Sequence, residues 1–165
     1  MLNLSLDLID LRILEKLQQK ARISNVELAE TVGLSPSACL RRVRDLENEG
    51  AIRQYVSLID PAVLGLGVTV MVNVTLERQV ETALESFEKA VCKWPEVMET
   101  YLMTGDADYL LRIVVPDLPA YEKFLMNHLT KLPGIASIKS SFALKEIVHR
   151  TALPMEHLQR QWNLQ

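Results

Sequence analysis

The chain has 165 residues, a formal net charge of −3 and 48% hydrophobic residues. This length accommodates two small domains, each with a packed core. No apolar run reaches the roughly 18 residues that a membrane span needs, and the N-terminus lacks the basic start of a secretory signal. The two cysteines form no C-x-x-C pair, which favours reduced core residues. We therefore expect a cytoplasmic protein without a membrane partner.

The first fifty residues predict three helices, and each helix has its own start signal. The start signals are Asp7, the pair Ser24 and Glu27 as a capping box, and Ser35 followed by Pro36. Gly33 supplies the positive φ for a sharp turn before the third helix, and Gly50 is placed to end that helix. Short capped helices around a glycine turn are typical of a helix-turn-helix head that reads DNA.

The third helix is the predicted reading helix. At about 100° per residue, one face consists of apolar residues that we expect to be buried, namely Cys39, Leu40, Val43 and Leu46. The other side has short side chains at its N-terminal end with guanidinium groups around them, which suits a major groove and its phosphates. The predicted DNA-binding residues are Ser35, Ser37, Ala38, Arg41, Arg42, Arg44 and Asp45. The alternative is an ordinary three-helix bundle with a solvated charged face.

The acidic balance bears on how such a head binds double-stranded DNA. Asp45, Glu47 and Glu49 follow the arginines and leave residues 1–60 near neutral, whereas DNA binders draw much of their affinity from neutralised phosphates. A single head is therefore expected to bind weakly. We predict a homo-oligomer that holds two or more heads together.

After the head, the hydrophobic period changes from helical to alternating. Residues 52–58 suggest a short strand that Pro61 ends, either as a rudimentary wing or as a linker. The following segments predict a strand from Val68, a helix over 80–93, strands over 97–104 and 109–115, a helix over 117–131 and a strand over 135–144. This βαββαβ order predicts an α+β protein with a C-terminal ferredoxin-like domain.

Two helices of such a domain cover one face of its sheet and leave the other open. The open face is predicted to carry apolar side chains, namely Met71, Tyr101, Met103 and Leu111. An exposed apolar face of this kind predicts dimerisation through the sheets. The predicted domains are a helix-turn-helix domain over 1–51, a linker strand or hinge over 52–66, the ferredoxin-like domain over 67–150 and a tail over 151–165. In the tail, Met155, Leu158 and Trp162 suggest a short amphipathic helix that docks on its own domain or on a neighbouring subunit.

Four motifs together resemble the Lrp/AsnC family of bacterial and archaeal feast/famine regulators. They are ID-R-IL in the first helix, NVELAETVGLSPSACLRRVRDLENEGAI in the head, GDADYLL in the hairpin and LPGI before the last strand. The resemblance implies a nucleoid-associated transcription regulator with a regulation-of-amino-acid-metabolism (RAM) domain. It also implies dimers that assemble further, often to octamers, and an amino-acid effector such as leucine or methionine bound between dimers.

By position, the resemblance implies an effector site in the hairpin and the last strand. Its residues are Leu102, Thr104, Gly105, Asp106, Asp108, Ser141, Phe142 and Ala143. Gly105 lets backbone amides approach a carboxylate, and Asp106 or Asp108 can accept from an α-ammonium group. The alternative is that Gly-Asp-Ala-Asp only makes the turn. Two departures from the family pattern are Ala38, where relatives often have proline, and Asp45 on the DNA-facing side.

The ionisable residues give little support to an enzyme, and we expect no catalytic residues, metal or cofactor. The three histidines have no metal-binding spacing, and His128 and His157 are expected at the surface. Asp106 and Asp108 alone make a weak Mg²⁺ signal. Two alternatives stay open: an enzyme similar to the sirohaem decarboxylases, which resemble this family in both domains, and a DNA-organising protein without an effector.

Overall fold

The structure is a computed structural model that describes residues 6–158. The chain forms two compact units, and the second of these is Ile59–Ile147. In the described range, the first unit consists of residues 6–58 together with residues 148–158. The C-terminal tail therefore belongs to the same unit as the N-terminal helices. Within the described range, no helix has both the length and the apolar character to span a bilayer.

The first unit contains the three predicted helices. They are α1, Leu8–Gln19; α2, Asn25–Val32; and α3, Pro36–Asn48. Each helix contributes to one buried core, which includes Ile13, Leu28, Val32, Cys39 and Leu46. The turn between α2 and α3 passes through Gly33 at φ +75°, where a side chain would be strained.

At two helix starts, the capping hydrogen bonds differ from those that the sequence predicted. Asp7 forms a complete capping box with Asp10, because each residue's side chain accepts a hydrogen bond from the other's backbone N–H. The box predicted at α2 is only half present. Ser24 accepts from the N–H of Glu27 at 3.2 Å, but the Glu27 carboxylate binds Lys20 at 2.7 Å. A charged partner from the preceding turn thus replaces the weaker reciprocal bond to a backbone amide.

Two other expectations for the first unit are wrong. Leu40 is 39% exposed, so the buried face of α3 is narrower than the sequence projection indicated. The strand suggested over 52–58 is absent, because these residues pair with no other strand in the described chain and an isolated extended segment gains no ladder hydrogen bonds; the linker alternative remains. Tyr55 instead donates to Glu47 at 2.8 Å.

The second unit has the predicted order of strands and helices. Its elements are β1, Val68–Leu76; α4, Glu81–Val91; β2, Val97–Leu102; β3, Tyr109–Val115; α5, Leu118–Asn127; and β4, Ile135–Phe142. The antiparallel sheet has the order β2-β3-β1-β4. The α+β fold class is therefore confirmed.

The register of β1 and β3 sets which side chains face the helices. Val72 lies opposite Leu111, and both side chains are fully buried with Phe87 and Phe124 of α4 and α5. Leu111 therefore lies on the helix-covered face, and its assignment to the open face is wrong. Side chains alternate along a strand, so Arg112 lies on the open face instead.

Candidate DNA interface and effector site

The start of α3 is held in place by two side chains. The Ser35 hydroxyl accepts from the N–H of Ala38 at 3.3 Å, and Asn25 of α2 donates to the carbonyl of Pro36 at 2.8 Å. Ser37 is exposed on the first turn, and Ala38 is half-buried. A rigid N-terminal turn with short side chains can approach a DNA groove closely.

The three arginines of α3 lie in different surroundings. Arg41 and Arg44 are exposed, whereas the Arg42 guanidinium binds Asp7 at 2.6 Å and Asp10 at 2.8 Å. Arg42 therefore ties the middle of α3 to the N-terminus of α1. Arg41 and Arg44 are thus open to solvent, whereas Arg42 helps to fix the orientation of α3.

The Arg42 cluster also shifts the ionisation of its members. Desolvation raises the pKa of Asp7, but hydrogen bonds from the Asp10 N–H and from Arg42, together with the Arg42 charge, outweigh it and lower the pKa below its ordinary value. The pKa of Arg42 rises, chiefly through its hydrogen bonds to Asp10 and Asp7. Asp45 is exposed beside Arg41 and Arg42 around a small surface hollow.

In the second unit, Asp108 is a structural centre of the hairpin. It is 6% exposed, and its carboxylate accepts from the backbone N–H of Leu76 at 2.7 Å and from the side chain of Gln79 at 2.6 Å. Its own N–H donates to the carbonyl of Val74 at 3.0 Å, and its carbonyl accepts from Met103 at 2.8 Å. Asp108 thus joins the hairpin to the end of β1 and to the segment that follows.

Asp106 is placed differently from Asp108. It is exposed and borders an open hollow of about 300 Å³ on the uncovered side of the sheet. The residues around this hollow are Asn73, Thr75, Met103, Thr104, Asp106, Ala107, Ser137 and Lys139. The hollow therefore combines one carboxylate, one ammonium group, hydroxyl and amide groups, and a thioether.

The structure brings only part of the predicted effector set together. Thr104 and Asp106 border the hollow, with Gly105 between them at φ +121°, and Leu102 is exposed at the end of β2. The last-strand residues lie elsewhere, because Ser141 is opposite Met71, four residues from Thr75 and hence about 13 Å along β1.

The other two last-strand residues lie at that same end of β4. Phe142 packs edge-on against Tyr121 at 5.4 Å, and the N–H of Ala143 donates to Thr69 at 2.9 Å. In one copy, Phe142 and Ala143 therefore lie at the end of β4 that is away from the hairpin.

Sequence reasoning missed four polar residues that line the hollow. They are Asn73, Thr75, Ser137 and Lys139. The available signal was alternation, because Asn73 and Thr75 fall between buried apolar residues of β1, and Ser137 and Lys139 flank the half-buried Ile138 of β4. The hairpin motif indicates only residues that are close to it in sequence. These four residues come close to the hairpin only when β1 and β4 pair in the sheet.

The described part of the chain has little that suggests metal chemistry. Among these residues, no group of three or more His, Cys, Asp or Glu side chains could hold an ion. His128 is half-buried and packs against Trp94 at 4.9 Å and Phe124 at 5.1 Å. His128 is therefore only partly at the surface, because Phe124 of α5 and Trp94, which follows α4, pack against its ring.

Both units match families of known proteins. Residues 6–53 match the winged helix-turn-helix DNA-binding family, and residues 69–153 match the Lrp/AsnC ligand binding domain. The chain belongs to the Lrp/AsnC family. This membership confirms the resemblance that the four sequence motifs indicated.

Relatives within the Lrp/AsnC family are similar over nearly the whole chain. The Bkd operon transcriptional regulator of Pseudomonas aeruginosa is 49% identical, with 91% of this chain and 98% of that protein covered. The leucine-responsive regulatory protein of Escherichia coli K12 is 45% identical, with 86% of this chain and 87% of that protein covered. A transcriptional regulator of Neisseria meningitidis, solved as its L-Met complex, has a TM-score of 0.88 and 44% identity, with 93% and 99% covered.

Membership of the Lrp/AsnC family decides the class of function. The chain is a DNA-binding transcriptional regulator with an amino-acid-binding domain, and it is not an enzyme. Because the similar proteins named above are transcriptional regulators, the sirohaem decarboxylase alternative is set aside.

Proposed function

We propose that this protein is a sequence-specific regulator whose DNA binding or assembly responds to a small aliphatic amino acid, such as leucine or methionine, bound between dimers. The observation that carries the proposal is the hollow beside Asp106 and Lys139. Because its target is genomic DNA, we propose that it acts in the cytoplasm with the nucleoid.

The hollow has the charges that an α-amino acid requires. Asp106 offers an acceptor for the α-ammonium group and Lys139 a donor for the α-carboxylate, and charge-assisted hydrogen bonds are the stronger kind. Thr104 and Asn73 add neutral polar groups, and Met103 adds an apolar surface for an aliphatic side chain. The hollow is open, which is consistent with a site that a second dimer completes.

We further propose that the protein forms homodimers through the open sheet face and a higher oligomer, of octamer size, from these dimers. Tyr101 is 51% exposed on this face, and a second copy would remove its ring from water, whereas Met103 borders the hollow at the hairpin. The near-neutral head supplies the second argument, because several linked heads gain affinity from effective concentration. For the reading helix, the proposed DNA contacts are Ser35, Ser37, Ala38, Arg41, Arg44 and Asp45, with Arg42 positioning them.

Calorimetry of the full chain against the twenty amino acids tests the effector proposal. We expect an aliphatic amino acid to bind, and Lys139→Met and Asp106→Asn each to weaken binding about 10- to 100-fold, the equivalent of one charged hydrogen bond. Lys123→Met, on the exposed side of α5, is the matched control and should leave binding unchanged. Unaltered binding in both hollow variants would place the effector elsewhere.

A DNA-organising protein without an effector is the second candidate. Asp108 favours this candidate, because both oxygens of its carboxylate accept hydrogen bonds from within the fold. The hairpin motif therefore has a structural role that requires no ligand. Absence of binding to all twenty amino acids, with specific DNA binding intact, would support this candidate over ours.

A further inference from the structure

The C-terminal tail belongs to the DNA-binding unit, although it follows the effector domain in the chain. After β4 ends at Phe142, the chain leaves the second unit near Ile147 and returns to the first. The chain therefore passes between the two units twice, once after Leu58 and once after Ile147. Residues 151–158 lie in the first unit beside α1.

The tail is held by a side chain in the last turn of α1. The Gln18 side-chain oxygen accepts from the backbone N–H of Leu153 at 2.6 Å. The Gln18 amide nitrogen lies 3.5 Å from the Leu153 carbonyl and 3.2 Å from the Met155 sulfur. Because the Leu153 side chain is 74% exposed, Gln18 recognises the tail through its backbone at this position.

An apolar groove adjoins this hydrogen-bonded contact. It has a volume of about 760 Å³ and is bordered by Leu14 and Leu17 of α1 and by Ile52 of the following segment. The tail contributes Met155 and Leu158 to the same groove, and residues 156–158 are helical. The predicted tail helix thus begins in the described chain, whereas Trp162 lies outside the described residues.

We propose that residues 151–158 are a strap that docks on the DNA-binding unit through Gln18 and so adds a non-covalent connection to the effector domain beside the covalent linker. Because segment 143–150 joins the tail to the effector domain, docking of the tail is intramolecular, and intramolecular contacts form at a raised effective concentration. A modest contact therefore suffices to keep it docked. The docked tail thus adds a second link between the reading-helix unit and the effector domain, whatever the effector is.

Hydrogen exchange of the full-length protein tests the docking. We expect the Leu153 amide to exchange slowly, and Gln18→Ala to speed its exchange about 3- to 10-fold, as the loss of one ordinary hydrogen bond implies. Gln19→Ala, which removes an exposed amide one residue away, should leave the rate unchanged. A Leu153 amide that exchanges as in an unstructured peptide, or equally in both variants, would overturn the proposal.

Cross-linking tests whether the strap docks on its own copy. The full chain would carry Cys92→Ser, Gln18→Cys and Met155→Cys, and would be treated with a short bismaleimide. We expect a cross-linked monomer on a denaturing gel, and little cross-linking when Arg12→Cys, about 9 Å earlier on α1, replaces Gln18→Cys. A cross-linked dimer would show that the tail crosses to a neighbour, and that result overturns single-chain docking.

Discussion

Replacing Asp108 by alanine should destabilise the effector domain, although sequence reasoning treated this residue as a ligand-binding group on an intact fold. The substitution removes the acceptor of the buried Leu76 N–H and of the Gln79 side chain. A buried donor left without a partner costs about 1–3 kcal/mol, and Gln79 can turn to water, so we expect a loss of about 2 kcal/mol. For a domain of this size, the loss corresponds to a midpoint lower by about 8–16 °C.

Thermal and urea unfolding followed by circular dichroism measure this loss, and two further variants sharpen the test. Asp108→Asn should recover part of the stability, because its amide oxygen still accepts from Leu76 and Gln79 can reverse its amide to accept from the new NH₂ group. Asp106→Ala removes the exposed carboxylate of the same hairpin and should change the free energy of unfolding by less than about 0.5 kcal/mol. An Asp108→Ala protein that is as stable as wild type but has lost its effector response would refute the reasoning.

Three further predictions concern the first unit. Arg41→Ala should weaken DNA binding and reduce the salt dependence of the affinity by about one phosphate contact, without lowering stability. Arg42→Ala should weaken DNA binding and also lower the unfolding midpoint. Anisotropy titrations measure the binding, and melting curves measure the stability. Since the folded pKa of Asp7 lies below its ordinary value of 3.8, its stabilisation is present above that value and is lost as the pH falls through the folded pKa. Melting curves below about pH 5 should show this loss, and Asp7→Asn should remove that component. Gly33→Ala places a side chain at φ +75° and should cost about 1–2 kcal/mol in denaturant unfolding; a stability equal to wild type would contradict the turn geometry.

Local signals in the sequence were sufficient to predict most of the fold. The caps at Asp7 and Ser35 act within three residues of themselves, and the alternation of β1 follows from a repeat of two. The family resemblance likewise rested on contiguous motifs. Such features can be predicted from the sequence because the interacting residues lie close together in the chain.

The roles of Asp108 and Arg42 were not predictable in this way. Asp108 meets Gln79 across 29 residues, and Arg42 meets Asp7 across 35 residues. Each pairing exists only after the strands or helices have packed, so composition and spacing give no indication of it. Lys139 entered the hollow for the same reason, through the pairing of β4 with β1.

Anisotropy titration of a DNA duplex that the full-length protein enriches from a random pool tests the central claim most directly. We predict binding to that duplex on the order of 10³-fold tighter than to a scrambled duplex at the same salt concentration. One aliphatic amino acid, with L-methionine and L-leucine as the first probes, should change this affinity about 5- to 150-fold. Equal affinity for both duplexes, unchanged by any of the twenty amino acids, would contradict an amino-acid-responsive regulator.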